Sequence, residues 1–241
     1  ATVTEILEEE GSLSCIITPN GGSGPVKTRA GQILMAIGRR PDVSRLLGKD
    51  ISLDMKDGKI AVDSDFETSE PGVYAIGDVA ARTQLAHVAA AQGTYVVEKI
   101  AGRPHSIKLE VVPNGMFVSL PIVPNCIYTD PEIATVGITE EIAKKYGLKV
   151  RCGHFSMRDN GKSIITGEEH GFIRLLFEAY SNTIVGAQMM CPRATDMIGE
   201  IATAIANGLT AQEMSFAMRA QPTYNEGIGA AIEDAMRQNP V

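Results

Sequence analysis

Hydrophobic and polar residues alternate in two short runs near the start of the chain, at positions 1–7 and 13–18. A stretch of Asn, Gly, Ser and Pro follows at 20–25, so the pattern predicts a small antiparallel meander. Positions 32–37 form a continuous apolar run, which is typical of a strand buried on both faces. Pro41 then favours an extended exit from that strand.

The middle of the chain carries one strand signal and one helix signal. A Pro-Gly turn precedes residues 73–76, whose apolar character predicts a short buried strand ending at Gly77 and Asp78. Small and apolar residues over 85–100 have the spacing of a helix packed closely on a flat surface. Gly, Arg and Pro at 102–104 are expected to stop this helix.

The last part of the chain places strand patterns before helix patterns. Residues 112–124 hold several Pro and Gly without periodicity and are predicted to connect two domains. Strands are predicted at 126–129, 133–138, 149–156, 171–178 and 183–190, the last two forming a hairpin across 179–182. Helices are predicted at 139–146, with Thr139 as N-cap, and at 195–206, 210–218 and 226–237. This order indicates an α+β fold with helices on one face of an antiparallel sheet.

Composition excludes several classes of protein. The chain has 241 residues, 44% of them hydrophobic and 21% charged, which is an ordinary globular composition. A net charge of -7 with scattered Lys and Arg argues against a nucleic-acid partner, which needs a basic face. No apolar run reaches the ~18 to 20 residues of a bilayer span, so we expect a soluble, cytoplasmic protein without a membrane partner. The chain starts without Met or a signal-peptide pattern, and we expect it to be part of a longer protein.

Four cysteines lie far apart in the sequence. They are Cys15, Cys126, Cys152 and Cys191. Because no two of them form a Cys-x-x-Cys pair, the spacing of metal ligands and of redox motifs is absent. We therefore predict reduced, buried or half-buried thiols and no metal site, with pairing in space left open.

The string Thr-x-x-x-Gly-Val-Tyr-Ala-Ile-Gly-Asp, ending at Gly77 and Asp78, resembles the second flavin signature of the pyridine nucleotide-disulphide oxidoreductases. This is the flavoenzyme family of dihydrolipoamide dehydrogenase. The resemblance implies that Asp78 accepts a hydrogen bond from the ribityl chain of FAD, and that the following helix lays its amino terminus against the flavin pyrimidine ring. The residues of that segment are Gln84, Leu85, Ala86 and His87. His87 is expected to be structural rather than catalytic, because the family uses mainly backbone groups here.

The string Ala-Ile-Gly-Arg-Arg-Pro at 36–41 resembles the end of the family's nicotinamide-nucleotide domain. The resemblance implies that Gly38 lets the backbone approach NAD. FAD and NAD are thus the expected cofactors of the complete protein.

The stretch Gln-Pro-Thr-Tyr-Asn-Glu at 221–226 resembles the family's His-Pro-Thr-x-x-Glu motif, whose His-Glu pair handles protons for a dithiol. Here Gln221 stands in place of the histidine, and Glu226 matches the glutamate. An imidazole titrates near neutrality, whereas a carboxamide cannot take up and return a proton in water. We expect Glu226 to hydrogen-bond the Gln221 amide and dithiol-disulphide turnover to be weak or lost.

Blocks at 128–137, 160–162, 184–187 and 194–200 resemble the family's dimerisation domain in order and spacing. One departure is Cys191, where the family usually has Gly; a small buried residue is favoured over a reactive thiol. The sequence contains neither Gly-x-Gly-x-x-Gly nor Cys-x-x-x-x-Cys, so only the family's carboxyl-terminal half is matched.

The resemblance implies three segments. Residues 1–41 would end the nicotinamide-nucleotide domain, 42–119 would form a central FAD-contacting segment, and 120–241 would form the dimerisation domain. The α+β dimerisation domain would thus follow an incomplete α/β FAD/NAD-binding portion. The implied partners are a second copy of the chain, in a two-fold homodimer, and a 2-oxo acid dehydrogenase complex.

Three functions stay open at this point. The first is the carboxyl-terminal part of an FAD-dependent NAD(P)H oxidoreductase that passes a hydride through FAD to a disulphide. The second is a transhydrogenase or NADH oxidase of the same family, which needs no thiol proton relay. The third is an inactive dimerisation module that binds no flavin as isolated.

Overall fold

The computed structural model describes residues 1–9, 11–48, 51–81, 83–111 and 120–238. The chain divides into two compact units, Ala1–Gly48 and Lys49–Val241.

The first unit is a three-stranded antiparallel sheet. Its strands are β1 (Thr2–Glu9), β2 (Ser12–Thr18) and β3 (Val26–Ala30), in the order β1-β2-β3. Gly11, with a φ of 70°, lies in the tight turn between β1 and β2, where a left-handed residue is required. The predicted meander is confirmed, and β3 adds a strand that the sequence pattern did not indicate.

The apolar run at 32–37 is not a strand in the structure, and this prediction was wrong. Leu34 and Ile37 are 90% and 88% exposed. A strand buried on both faces requires neighbours that satisfy its backbone groups and cover its side chains. Among the described residues of this unit, no strand pairs with residues 32–37. These residues therefore do not form the predicted strand.

The second unit begins with small elements around one helix. Strands β4 (Met55–Lys56) and β5 (Lys59–Ile60) form a hairpin, and α1 spans Ala86–Ile100 as predicted. The strand predicted at 73–76 is reduced to an isolated bridge between Glu67 and Tyr74, and Val73 is 42% exposed. The backbone of this segment pairs with residues 66–68, through Thr68 N–H to Val73 O (2.8 Å) and Ala75 N–H to Phe66 O (3.0 Å), so among the described residues it forms a local pair and not a strand of a larger sheet.

A two-stranded sheet of β6 (Glu110–Val111) and β7 (Leu120–Pro121) precedes the main sheet. Most of the predicted connection, 112–119, lies outside the described residues. The described part of that connection, 120–124, includes the short strand β7, which the pattern did not predict.

The main sheet has five antiparallel strands in the order β10-β11-β12-β9-β8. These are β8 (Asn125–Ile127), β9 (Ile133–Gly137), β10 (Val150–Ser156), β11 (Phe172–Glu178) and β12 (Ile184–Met190). All five agree with the predicted strands within two residues at each end. The turn between β11 and β12 is closed by Glu178, whose carboxylate accepts hydrogen bonds from the backbone N–H groups of Tyr180 (3.1 Å) and Ser181 (2.6 Å).

The helices after α1 are α2 (Glu140–Lys145), α3 (Gly161–Thr166), α4 (Ala194–Ala206), α5 (Ala211–Ser215) and α6 (Glu226–Arg237). Thr139 caps α2 as predicted, accepting from the Ile142 N–H at 3.3 Å. Helix α3 was missed, although Asn160 at its N-cap and Gly167 after its end are ordinary start and stop signals.

The core lies between the main sheet and the helices that follow it. Ile173, Leu175 and Phe177 of β11 are buried in a cluster with residues of α4, α5 and α6. Leu176, pointing the other way, joins Val185 and residues around α2 in a smaller cluster. The three later helices thus share one face of the sheet, as predicted, while α2 covers part of the other face.

Within the described residues, no helix is long and apolar enough to cross a membrane. The same residues contain no group of three His, Cys, Asp or Glu side chains that could hold a metal ion. All four cysteines are free, and Cys191 is fully buried. Burial raises the pKa of Cys191 to about 12 and that of Cys152 to about 11, so neither is a thiolate near neutral pH.

Candidate functional site

The first part of the candidate site is the turn at Gly77 and Asp78, which is fastened to α1. Gly77 has a φ of 67°, and a Cβ on it would lie 2.9 Å from the Cβ of Ala89. The buried Gln92 of α1 accepts a hydrogen bond from the Gly77 N–H at 2.8 Å. Glycine is therefore required both by the backbone conformation and by the close approach to α1.

The carboxylate of Asp78 is half-buried and has no hydrogen bond or ion pair with any described residue. Most buried or half-buried polar groups have such a partner. No described residue occupies its oxygens, and the Gly77–Gln92 bond holds the neighbouring backbone fixed relative to α1.

The amino terminus of α1 lies in the same unit and has no side-chain cap. Leu85 is the N-cap residue, in extended conformation, and its side chain has no polar atom to accept from the first turn. Among the described residues, no acceptor is found for the backbone N–H groups of Ala86 and His87. These N–H groups and the positive end of the helix dipole favour a negatively charged group.

His87 and Gln84 flank this helix start in different ways. The Nε2–H of His87 donates to the carbonyl oxygen of Pro124 at 2.8 Å, which ties α1 to the segment leading into β8. Gln84 is half-buried and, like Leu85, precedes the helix. Gly38 lies in the first unit, where it is exposed and has a φ of 119°.

The second part of the candidate site is the loop at 219–225, which we call the Gln221 loop. Gln221 is exposed, and its peptide bond to Pro222 is cis. Gln221 and Glu226 line one cleft of about 650 Å³, together with Arg219 and Asp159. The structure therefore brings the two motif residues to the same cleft.

The expected hydrogen bond between Glu226 and the Gln221 amide is not present among the described residues, and that prediction was wrong. The Glu226 carboxylate accepts instead from the backbone N–H of Thr223 at 2.9 Å. A backbone donor three residues before the helix start is fixed in place, whereas an exposed side-chain amide is solvated by water. The Glu226 carboxylate therefore bonds to the backbone at the start of its own helix and not to the Gln221 amide.

The Gln221 loop is held to the domain on the α3 side as well. Asn160 donates through Nδ2 to the Thr223 carbonyl at 3.0 Å. The Tyr224 hydroxyl hydrogen-bonds Glu168 and Thr166, and the bond from Tyr224 lowers the pKa of the Glu168 carboxyl. Burial and then the bond to Glu168 raise the pKa of Tyr224.

Sequence reasoning missed the residues that support these two parts. The signal for Gln92 was a single amide side chain on the otherwise small and apolar buried face of α1. Asn160 lies in a block that resembles the family, but its partner Thr223 lies 63 residues away. No local pattern indicates such a pairing.

Comparison with known proteins identifies the class to which this fold and site belong. Residues 123–232 match the pyridine nucleotide-disulphide oxidoreductase dimerisation domain, and residues 1–93 match the pyridine nucleotide-disulphide oxidoreductase domain. The chain belongs to the pyridine nucleotide-disulphide oxidoreductase family.

Relatives by sequence include dihydrolipoyl dehydrogenases. The chain is 33% identical over 230 residues to that of Geobacillus stearothermophilus, covering 95% of this chain and 46% of the relative. It is 35% identical over 203 residues to one from Bacillus subtilis, covering 84% of this chain and 40% of the relative. The chain thus spans about half the length of the curated relatives it matches.

Several solved structures share the fold. LpdA from Mycobacterium tuberculosis superposes with a TM-score of 0.82 at 24% identity, covering 98% of this chain and 48% of that protein. The HOCl-induced flavoprotein disulfide reductase RclA from Escherichia coli gives 0.79 at 17% identity, covering 97% and 50%. At these identities the likeness establishes the fold alone.

Proposed function

We propose that this chain is the flavin-contacting and dimerisation part of an FAD-dependent NAD(P)H oxidoreductase similar to dihydrolipoyl dehydrogenase. The complete protein would pass a hydride from a nicotinamide nucleotide to FAD and then to an acceptor. One observation carries the proposal: the carboxylate of Asp78, which has no partner among the described residues, follows the Gly77 turn that is tied to α1, and the amino terminus of α1 has no side-chain cap.

These residues fit FAD by their chemistry. Asp78 supplies the acceptor that a ribityl hydroxyl requires, and the amides of Ala86 and His87 supply donors for the negative charge of a reduced pyrimidine ring. Gln84 and Leu85 would complete the contact, and Gly38 would face the nicotinamide nucleotide. When bound, the flavin supplies hydride transfer, while the chain binds and orients it.

The match to a dimerisation domain supports a two-fold homodimer as the assembly. In such a dimer, Gln221 of each copy would face the acceptor site of the other. The boundaries 1–41, 42–119 and 120–241 are our proposal for the segments of the chain. A cytoplasmic location and a 2-oxo acid dehydrogenase complex as partner stay predictions.

Gln221 governs which acceptor the complete protein can use. Its amide can donate and accept hydrogen bonds but cannot relay the protons of a dithiol, so the proposed dithiol reaction lacks its acid-base catalyst. General acid-base help contributes ~100 to 10,000-fold, and we expect lipoamide turnover to be slow by a comparable factor.

The test is lipoamide reduction by the complete protein, wild type against Gln221→His. Gln221→Asn is the matched control, because it keeps an amide at the same position. We expect the His variant to be faster and the Asn variant to stay slow. Equal and fast rates in wild type and the His variant would reject the role given to Gln221.

The exposed amide also favours a second candidate, a transhydrogenase or NADH oxidase, since hydride transfer through flavin needs no thiol proton relay. Robust NADH oxidation with a non-thiol acceptor, combined with slow lipoamide turnover, would select it. As isolated, the 241 residues would form an inactive dimerisation module, because they span about half of their relatives. A colourless preparation is expected, and flavin absorbance in it would contradict this point.

A further inference from the structure

One carboxylate outside the motif holds both ends of the Gln221 loop. Glu200, on α4, accepts from Nη2 of Arg219 at 2.6 Å through Oε1. Its second oxygen, Oε2, accepts from Nδ2 of Asn225 at 3.3 Å. Arg219 precedes Gln221 by two residues and Asn225 follows it by four, so the exposed amide lies between two anchors on the same side chain.

The Arg219 anchor is largely withdrawn from water. Its side chain is 10% exposed and that of Glu200 is 33% exposed. The guanidinium lies beside Gly229 of α6, where a Cβ would be 3.5 Å from Nη1. Among the described residues, Glu200 is the only acid that pairs with Arg219, and the buried Nε has no acceptor.

Burial decides how much such a pair matters. An exposed ion pair contributes little, whereas removing one partner of a buried pair leaves an uncompensated charge and is strongly destabilising. The Arg219–Glu200 pair lies close to the buried case on the arginine side. If the chain at Arg219 moved away from α4, the guanidinium would therefore lose its carboxylate partner Glu200.

We propose that Glu200 is a positioning residue for Gln221, acting through Arg219 and Asn225. Glu200 does not touch the acceptor; it fixes where the exposed amide is presented. The proposal deepens the proposed function and rests on it, because only there does Gln221 face an acceptor.

The first test measures the loop directly and needs no activity. Amide hydrogen exchange of the 241-residue chain is followed by mass spectrometry in wild type, Glu200→Gln and Asn225→Ala. Glu200→Gln keeps the side-chain shape but loses the charge and one acceptor oxygen. We expect exchange across 216–226 to rise about tenfold or more, since a hydrogen bond to a charged group contributes on that order. Exchange in β11 and β12 should not change.

The matched control is Glu233→Gln, which removes an exposed carboxylate paired with Arg237 within α6. It should leave exchange across 216–226 at the wild-type rate. Asn225→Ala removes one anchor without stranding a charge, so it stays informative if Glu200→Gln does not fold. Wild-type exchange across 216–226 in both Glu200→Gln and Asn225→Ala would overturn the proposal.

The second test uses the complete protein and separates flavin reduction from acceptor reduction. In Glu200→Gln, we expect reduction of the flavin by the nicotinamide nucleotide to keep its rate, while KM for the acceptor rises several-fold. Faster loop exchange with an unchanged KM would overturn the positioning role. A wild-type protein that reduces no acceptor would defeat the proposed function, while the exchange data would still decide whether Glu200 holds the loop.

Discussion

Substitution of Gly153 by alanine tests how tightly α6 is packed on the sheet. Gly153 lies in β10 and is buried, and a Cβ at this position would lie 1.9 Å from the carbonyl oxygen of Ala231 and 2.8 Å from the Cβ of Ala235. Real Cβ atoms essentially never come closer than 3.0 Å to such neighbours. Because the obstructing atom belongs to the backbone of α6, the whole helix must move by more than about 1 Å to make room.

The cost follows from what has to move. Overpacking of a core costs about 1 to 3 kcal/mol where side chains can yield, and more where they cannot. For Gly153→Ala we expect the free energy of unfolding to fall by about 3 kcal/mol. The displacement also reaches the site, because Glu226 is the first residue of α6.

The assay is urea unfolding of the 241-residue chain, followed by the circular dichroism of its helices. Gly199→Ala is the control, since Gly199 is exposed in α4 and a Cβ there would meet nothing within 4 Å. Alanine in an exposed helix position should stabilise by about 1 kcal/mol. If the free energy of unfolding of Gly153→Ala were within about 1 kcal/mol of the wild-type value, α6 would not pack against Gly153 as closely as the structure shows.

Three further substitutions test other parts of the structure. Gln92→Leu leaves the buried N–H of Gly77 without its acceptor, so unfolding should become easier by about 1 to 3 kcal/mol in the same urea assay. Thr210→Ala removes the capping box of α5 and should cost about 1 kcal/mol, a loss that a serine at this position should largely avoid. Burial alone would raise the pKa of Glu178, but hydrogen bonds, chiefly from Ser181, outweigh it and lower that pKa. A lowered folded-state pKa means stability that is complete above about pH 4.3 and lost as pH falls further, so the difference between wild type and Glu178→Gln should shrink below that pH; a constant difference would count against it.

Sequence patterns located the elements of the second unit's sheet and helices well, because those elements carry their own periodicity. The helix predicted at 195–206 is α4, and its Ile198, Ile201 and Ile205, which recur at helical spacing, are all buried in the structure. The patterns failed where a strand depends on partners. Residues 32–37 are as apolar as β11, yet within the described residues they have no neighbouring strand.

The candidate site was predictable only in its motif residues. Gln221 and Glu226 stand out from the motif itself, and Asp78 stands out from the string that precedes it. The residues that hold them in place could not be predicted, because Gln92 is 15 residues from its partner Gly77 and Glu200 is 19 residues from its partner Arg219. Hydrogen bonds at such separations depend on how the elements pack.

Residue identity alone decided that position 221 holds an amide that cannot carry a proton, and local periodicity predicted where β9 to β12 and α4 to α6 form. Tertiary structure decided that the Glu226 carboxylate turns to the Thr223 backbone and that Glu200 gathers Arg219 and Asn225. A side chain's chemistry belongs to its own residue, whereas its partner is chosen by whichever groups the packed elements bring within hydrogen-bonding distance.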